Sequence, residues 1–353
     1  MSSPAADSLD ATRYTLRVDE ATVIVPCVSV VLCLDRTDRT GLQEFHDRGL
    51  EALGGAVTHY RAEQMKSRAT ITARTRRMLQ TWLDKPTAGK QYYLEYSGCA
   101  DENGVSGAGL SIDLTPRTYE GKTPEFWTRW IASWTKLYDD GVRKLLPCTV
   151  LRVTFPLDHP LADPDALVNW IASLRLVNSG EFASGYAGYA LNFHGSVGSM
   201  NLQRLMKERL TALVLQYPGF DWHNTYTIVD KLLPFDPPKQ TFLPLIKRAN
   251  WISLLSERSI AHLGGRQRVE ESLAASGGPG NIAVRDAGTG MMIRAGLAPQ
   301  TGDLPRGDGI PLFRSVAKVI RPVRLDAIDG LGDGFPDDRA QEWLEAFDKG
   351  NPG

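Results

Sequence analysis

Apolar residues follow two rhythms along this chain. From Thr22 to Leu34 they make the nearly unbroken β-branched and aliphatic run TVIVPCVSVVLCL, which predicts a buried strand. Pro26 removes one ladder donor from it and predicts an edge or a bulge. Between Thr40 and Tyr60 the spacing becomes helical, with Leu42, Phe45, Gly49, Leu53 and Val57 on one stripe and Gly54-Gly55 as an interruption. A second helical pattern from Thr72 to Leu83 precedes strands at Tyr92 to Tyr96 and Gly109 to Leu114. Thr123-Pro124 then opens a helix whose stripe is Phe126, Trp127, Trp130, Ile131, Trp134, Leu137 and Tyr138. That rhythm is the one any core-facing helix has, so the tryptophans read as packing and not as a ligand cage. After Pro147, Leu151, Val153 and Phe155 alternate with Val150, Arg152 and Thr154, which marks a strand.

The Pro- and Asp-rich stretch Leu157 to Asp165 divides the chain into halves. Beyond it come a helix over Ala166 to Val177, a strand over Tyr186 to Phe193, and a strong helix lined by Leu202, Leu205, Met206, Leu210, Leu213, Val214 and Tyr217 that ends at Pro218-Gly219. Strand-like runs at Lys247 to Leu255 and Met291 to Ala295 enclose a short helix near Arg268 to Ala275 and the turn Ser276 to Gly280. Helices near Leu312 to Ile320 and Arg339 to Phe347 complete the pattern. Strands and helices mix irregularly and adjacent strands have short links, so the predicted class is α+β, with mainly antiparallel sheets packed against helices. Two similar-sized halves, 20–160 and 161–353, are expected either as one unit or as two domains, and residues 1–19 are expected to be poorly ordered.

Composition narrows the function classes. Apolar residues at 42% and charged residues at 23% support a real core. With 40 Lys+Arg against 41 Asp+Glu the formal charge is -1, so no global field draws the chain to nucleic acid or an anionic membrane. The first residues lack a basic segment followed by an apolar one, and no apolar run reaches membrane-spanning length, so a cytoplasmic protein is expected. Cys27, Cys33, Cys99 and Cys148 form no CxxC pair and read as reduced, mostly buried thiols.

Catalytic patterns fail one by one. There is no GxxxxGK[ST] phosphate loop, Gly104-Val105-Ser106-Gly107-Ala108-Gly109 misses the spacing of a nucleophile elbow, and the six histidines form no HExxH pair. Asp329-Gly330-Leu331-Gly332-Asp333-Gly334 opens like a calcium loop but has Leu331 at position 3 and Ala340 at position 12. No catalytic residue, metal or cofactor is therefore expected. Two charge features remain. Arg61, Lys66, Arg68, Arg74, Arg76 and Arg77 make a basic stretch that reads as a solvated face, with a nucleic-acid-binding module as the alternative. Asp326, Asp329, Asp333, Asp337, Asp338, Glu342, Glu345 and Asp348 make an acidic C-terminal stretch, the arrangement a blocker of a basic groove would present.

Several stretches of the second half are familiar in combination: GYALNF at 188–193, YPGFD at 217–221, IKRANW at 246–251, Leu263-Gly264-Gly265, IRAG at 293–296 with Pro299 and Gly302-Asp303, and IRPVR at 320–324. In this order they resemble the TsiV-like type VI secretion immunity family, over residues 20–325 and most clearly from residue 185 onward. The resemblance implies a non-enzymatic protein that binds and neutralises a cognate type VI effector toxin, a nuclease acting in the cytoplasm being the first expectation. It defines no toxin-contact residues, so the candidate contacts Asp326, Asp329, Asp333, Asp337, Asp338 and Glu342 rest on charge alone. An enzyme of unrecognised type is the other class to be weighed, and direct nucleic-acid or membrane binding is not expected.

Overall fold

A computed structural model describes residues 9–18, 20–35, 38–63, 65–85, 92–100, 104–114, 148–193, 200–223, 235–236, 241–277 and 281–348. The predicted Trp-bearing helix from Thr123, His194 and the turn at 278–280 lie outside these residues. The strands are β1 (Leu16–Val18), β2 (Ala21–Leu34), β3 (His59–Ala62), β4 (Ala69–Thr70), β5 (Tyr92–Ser97), β6 (Gly109–Leu114), β7 (Thr149–Phe155), β8 (Ser184–Phe193), β9 (Asp221–Trp222), β10 (Phe235–Asp236), β11 (Thr241–Phe242), β12 (Ile252–Leu255), β13 (Ile282–Ala287) and β14 (Gly290–Ala295). The helices are α1 (Ala11–Tyr14), α2 (Arg39–Leu53), α3 (Ala73–Arg76), α4 (Met78–Asp84), α5 (Pro164–Ser173), α6 (Arg175–Ser179), α7 (Met200–Gln216), α8 (Glu257–His262), α9 (Arg266–Gly277), α10 (Pro311–Ile320) and α11 (Asp337–Leu344).

The α+β expectation holds. Among the described residues one sheet of 12 strands runs in the order β13-β14-β12-β8-β2-β7-β6-β5-β3-β4, with β1 beside β2 and β9 beside β8. Neighbours along the main path are antiparallel, and β9 joins β8 in parallel. β2 is thus a central strand rather than the edge that Pro26 suggested. Pro26 pairs with Leu191 of β8, and on the other side of β2 it falls between the positions that β1 reaches (up to Ile24) and those that β7 reaches (from Val28). The missing N–H therefore coincides with the stretch where the ladder is one-sided.

Burial separates two parts of the sheet. β2, β7, β8 and β12 are buried on both faces, whereas β5 and β6 alternate buried and part-exposed positions. The covered face of that flank carries Leu94, Tyr96, Leu110 and Ile112, packed under α2 and α5: Phe45 meets Trp170 edge-on, and Trp170 meets Phe155 edge-on at 5.7 Å. Gly49 of α2 lies close to Leu110, which lets the helix settle on β6.

Local differences from the sequence reading have local causes. The stripe from Thr40 to Tyr60 breaks because Gly54 adopts φ 51°, and the chain turns through Gly54–Ala56 into β3. The segment Ala166 to Val177 is two helices, α5 and α6, because Leu174 is extended between them. β13 has no counterpart in the sequence pattern; it forms a hairpin with β14 across Gly288, whose φ is 59°. At the N-terminus, Asp10 caps α1 by accepting from Thr12 N, and Tyr14 is buried against Tyr217 and Phe220.

Candidate functional site

The sheet face opposite α2 carries the charged chemistry of the chain. Cross-strand pairing aligns Arg61, Glu95, Ser111, Arg152, Val31, Tyr186 and Ser253 in one row running from β3 to β12. Paired residues of antiparallel strands share a face, so this row is polar from β3 to β7 and then enters the core. Against the core part pack α7 and the segment Leu245 to Trp251, with β9 beside β8 in the sheet, and a cleft of about 850 Å³ opens next to them. Its sheet-side wall includes Arg61, Arg68, Glu95, Ser111, Asp113 and Arg152, and it is also lined by Met206, Lys207, His223, Gly330 and Leu331.

A buried ionic cluster lies next to His223 of this lining. Lys247 is fully buried, donates to Trp222 O at 2.7 Å and forms an ion pair with Asp221, itself only 3% exposed. Its ammonium also lies 5.0 Å from the Tyr186 ring centre and 5.2 Å from that of Trp343. Burial pushes Lys247 down to about 8, against the opposing pull of the Asp221 carboxylate. Arg248 stacks between Trp343 and Phe347, 4.1 and 4.2 Å from their ring centres, and donates to Pro218 O. Arg324, 1% exposed, donates to both oxygens of Asp348 at 2.8 and 2.6 Å. The IKRANW and IRPVR stretches therefore supply core cations, and Trp343, Phe347 and Asp348 from the C-terminal segment close over them.

Arg152 differs from these cations. It is 9% exposed. Its Nε donates to Ser29 at 3.3 Å, its Nη1 to Asn192 Oδ1 at 3.2 Å, and its Nη2 is buried with no partner. A donor left so costs about 1–3 kcal/mol. The sequence signal for this residue is an arginine inside the apolar alternation VLRVTF. His223, 8% exposed at the same cleft, is held well below its usual range, first by burial and then by the nearby Arg152 and Lys247 charges.

The six candidate contacts fall on one stretch of loop and helix. Asp326, Asp329 and Asp333 are exposed in the loop before α11, Asp337 and Asp338 are exposed in its first turn, and Glu342 is half-buried within it. Asp337 accepts from Gly330 N at 2.8 Å, and Glu342 pairs with Arg339 at 2.5 Å. Acids in the first helical turn also favour the helix electrostatically. The loop reaches the cleft through Gly330 and Leu331, and Lys207 of α7 donates to Leu331 O at 2.5 Å. Of the basic stretch, Arg61 and Arg68 reach the cleft. Arg68 pairs with Glu95 at 3.1 Å and donates to Gly104 O, while Arg74, Arg76 and Arg77 are exposed around α3.

All four cysteines are free thiols; Cys27, Cys33 and Cys148 are buried and Cys99 is half-buried. Among the described residues no group of three or more His, Cys, Asp or Glu is placed to hold a metal ion, and no helix is long and apolar enough to cross a membrane.

The family whose profile matches this chain defines its class, immunity proteins of the type VI secretion system. The chain belongs to the TsiV family, described as type VI immunity for VRR-NUC, whose profile matches residues 106–347, over half of the chain. Among solved structures, Pseudomonas aeruginosa T6SS protein PA0821 superposes with a TM-score of 0.66 at 16% identity, over 93% of this chain and 83% of that one. This likeness is one of fold. No curated protein sequence matches the chain.

Proposed function

We propose that this protein binds a VRR-NUC nuclease delivered by a type VI secretion system and keeps it inactive in the cytoplasm of the producing cell, by stoichiometric occlusion and without catalysis. The observation that carries the reading is the partition of charge in the C-terminal region. The cations Lys247, Arg248 and Arg324 are buried, while Asp326, Asp329, Asp333, Asp337 and Asp338 are exposed, on α11 and on the loop before it that reaches the cleft through Gly330 and Leu331. A nuclease must bind a polyanion, so its groove carries Lys and Arg, and carboxylates offered where phosphates would lie compete for it. Such rim charges chiefly accelerate association; the lifetime of the complex comes from apolar anchors. Nanomolar affinity, about -12 kcal/mol, is within reach of a well-packed interface of roughly 1,600 Å².

Titrating the nuclease with this chain tests the reading. Inhibition is expected to saturate near one chain per nuclease; rescue far below equivalence, or turnover of a substrate by this chain alone, would replace it with an enzymatic one. Replacing Asp329, Asp333, Asp337 and Asp338 together with Asn is expected to slow association and flatten its salt dependence. Unchanged kinetics at low salt would leave the acidic stretch a solubilising surface and remove it from the interface.

A further inference from the structure

Each buried cation of the ionic cluster has an anion or a π-face: Lys247 has Asp221, Arg324 has Asp348, and Arg248 has Trp343 and Phe347. Arg152 has no carboxylate within ion-pair reach among the described residues. Of the acids on this face, Asp113 stands on the neighbouring strand, diagonal to Arg152 and without an ion pair to it, and Glu95 is two strands away, about 10 Å at the usual strand spacing, and already engaged with Arg68 and the Tyr93 hydroxyl. Two of the five guanidinium N–H groups have acceptors, both neutral, and Nη2 is shut off from bulk water. A cation so placed is a standing cost to the unliganded fold, and an arriving anion relieves it. The same side chain lines the cleft, with Ser111 facing it across the strand pair as a hydroxyl donor, while the Thr154 hydroxyl donates to Gly109 O.

We propose that Arg152 is the base of an oxyanion-binding subsite in this cleft, taking a carboxylate or phosphate on the forked face of its guanidinium. A guanidinium suits either oxyanion, and admitting one to Nη2 requires its surroundings to give, since that atom is closed off in the unliganded fold. The cleft is far larger than a bare anion, so the oxyanion is carried on a larger group. Two sources share this chemistry: an Asp or Glu side chain of the bound nuclease, which rests on the function proposed above, and a free phosphorylated small molecule, which does not.

The experiment has two arms. In the first, thermal midpoints of the full chain are measured in inorganic phosphate against chloride at matched ionic strength. A free-phosphate site raises the midpoint in a saturating manner, and Arg152→Met abolishes the rise. In the second, affinity for the nuclease is measured at high salt. A side-chain source weakens binding at least tenfold in Arg152→Met, Arg152→Lys recovers part of the loss, and phosphate competes on the unmodified chain. Arg152→Met alone is expected to match or exceed the unmodified chain in midpoint without ligand, because it removes the uncompensated charge; a marked fall would show that the cation is structural and overturn the proposal. No phosphate-dependent shift together with unaltered nuclease affinity would overturn it too. Loss of nuclease binding by the unmodified chain itself would instead count against the proposed function and leave the phosphate arm to decide this one.

Discussion

Asp348 separates the structural acids of the C-terminal stretch from the solvated ones. Its carboxylate accepts two hydrogen bonds, at 2.8 and 2.6 Å, from a guanidinium that is 1% exposed. Charge-assisted bonds contribute about 1.5–3 kcal/mol each, so two give about 3–6 kcal/mol. Asp348 itself is 26% exposed, and water can replace part of what it supplies; about 2–4 kcal/mol remains, close to the loss expected on orphaning one member of a buried pair. Arg324 cannot recover this elsewhere, since its Nε already lacks a partner and the chain packs around it. Urea unfolding of Asp348→Ala at neutral pH, followed by the fluorescence of Trp343 and its neighbours, is expected to show this loss. Asp348→Asn, which keeps the shape and one acceptor, should lose about half as much. Exposed Asp333 supplies the control, with Asp333→Ala expected within about 0.5 kcal/mol of the unmodified chain. An Asp348→Ala midpoint equally close to the unmodified one would refute the view that the acidic tail anchors the ionic cluster.

Three further outcomes are expected. His46 and His223 are both held below the ordinary 6.5 chiefly by burial, so the unfolded chain takes up protons that the native one refuses. Stability is then complete above that pH and declines as pH falls, by up to about 1.4 kcal/mol per pH unit for each histidine; urea midpoints between pH 7 and 5 check this, and His46→Gln should flatten the slope. A thiol reagent added to the native protein should modify Cys99 first, because Cys27, Cys33 and Cys148 are buried and burial pushes Cys27 up to about 11; equal rates for all four would contradict the packing. Gly219→Ala would drive its new methyl into the Gln300 backbone carbonyl, which has no rotamer to yield, and should destabilise by about 2–4 kcal/mol in the same assay.

How much of this was legible depends on whether the information was local. The alternation in Gly109–Leu114 and the run Thr22 to Leu34 specify strands by themselves, and both are strands. The position of β2 between β7 and β8 is set by pairing partners more than 100 residues away, and no periodicity announces it. The exposed acids could be read as exposed because a run of carboxylates with one arginine has nowhere else to go. Asp348 belonged to the same run, yet its role comes from Arg324 and from the ring stack of Trp343 over Arg248, a tertiary arrangement that charge counting cannot distinguish. Lys247 and Arg248 sat inside a recognised stretch, but recognition gave a family and not a location. Arg152 was visible as an odd letter in an apolar strand; that its Nη2 lacks a partner is a property of the fold alone.

The place of β2 bears on how the protein can be cut. The family profile begins at residue 106, within the approach to β6, so a fragment trimmed to the matched region would keep β7 and β8 and discard the strand that joins them. Seven residue pairs on one side and ten on the other would be broken at once, from Val28↔Phe155 to Leu34↔Thr149 and from Ile24↔Phe193 to Cys33↔Ser184. Two long apolar edges would then face water in the interior of what had been one surface, and such edges pair with whatever strand they meet. A minimal folded fragment cannot be made by following the family boundary. It would have to carry β2 along, or be circularly rearranged so that the segment up to Leu34 is supplied from the other end of the chain.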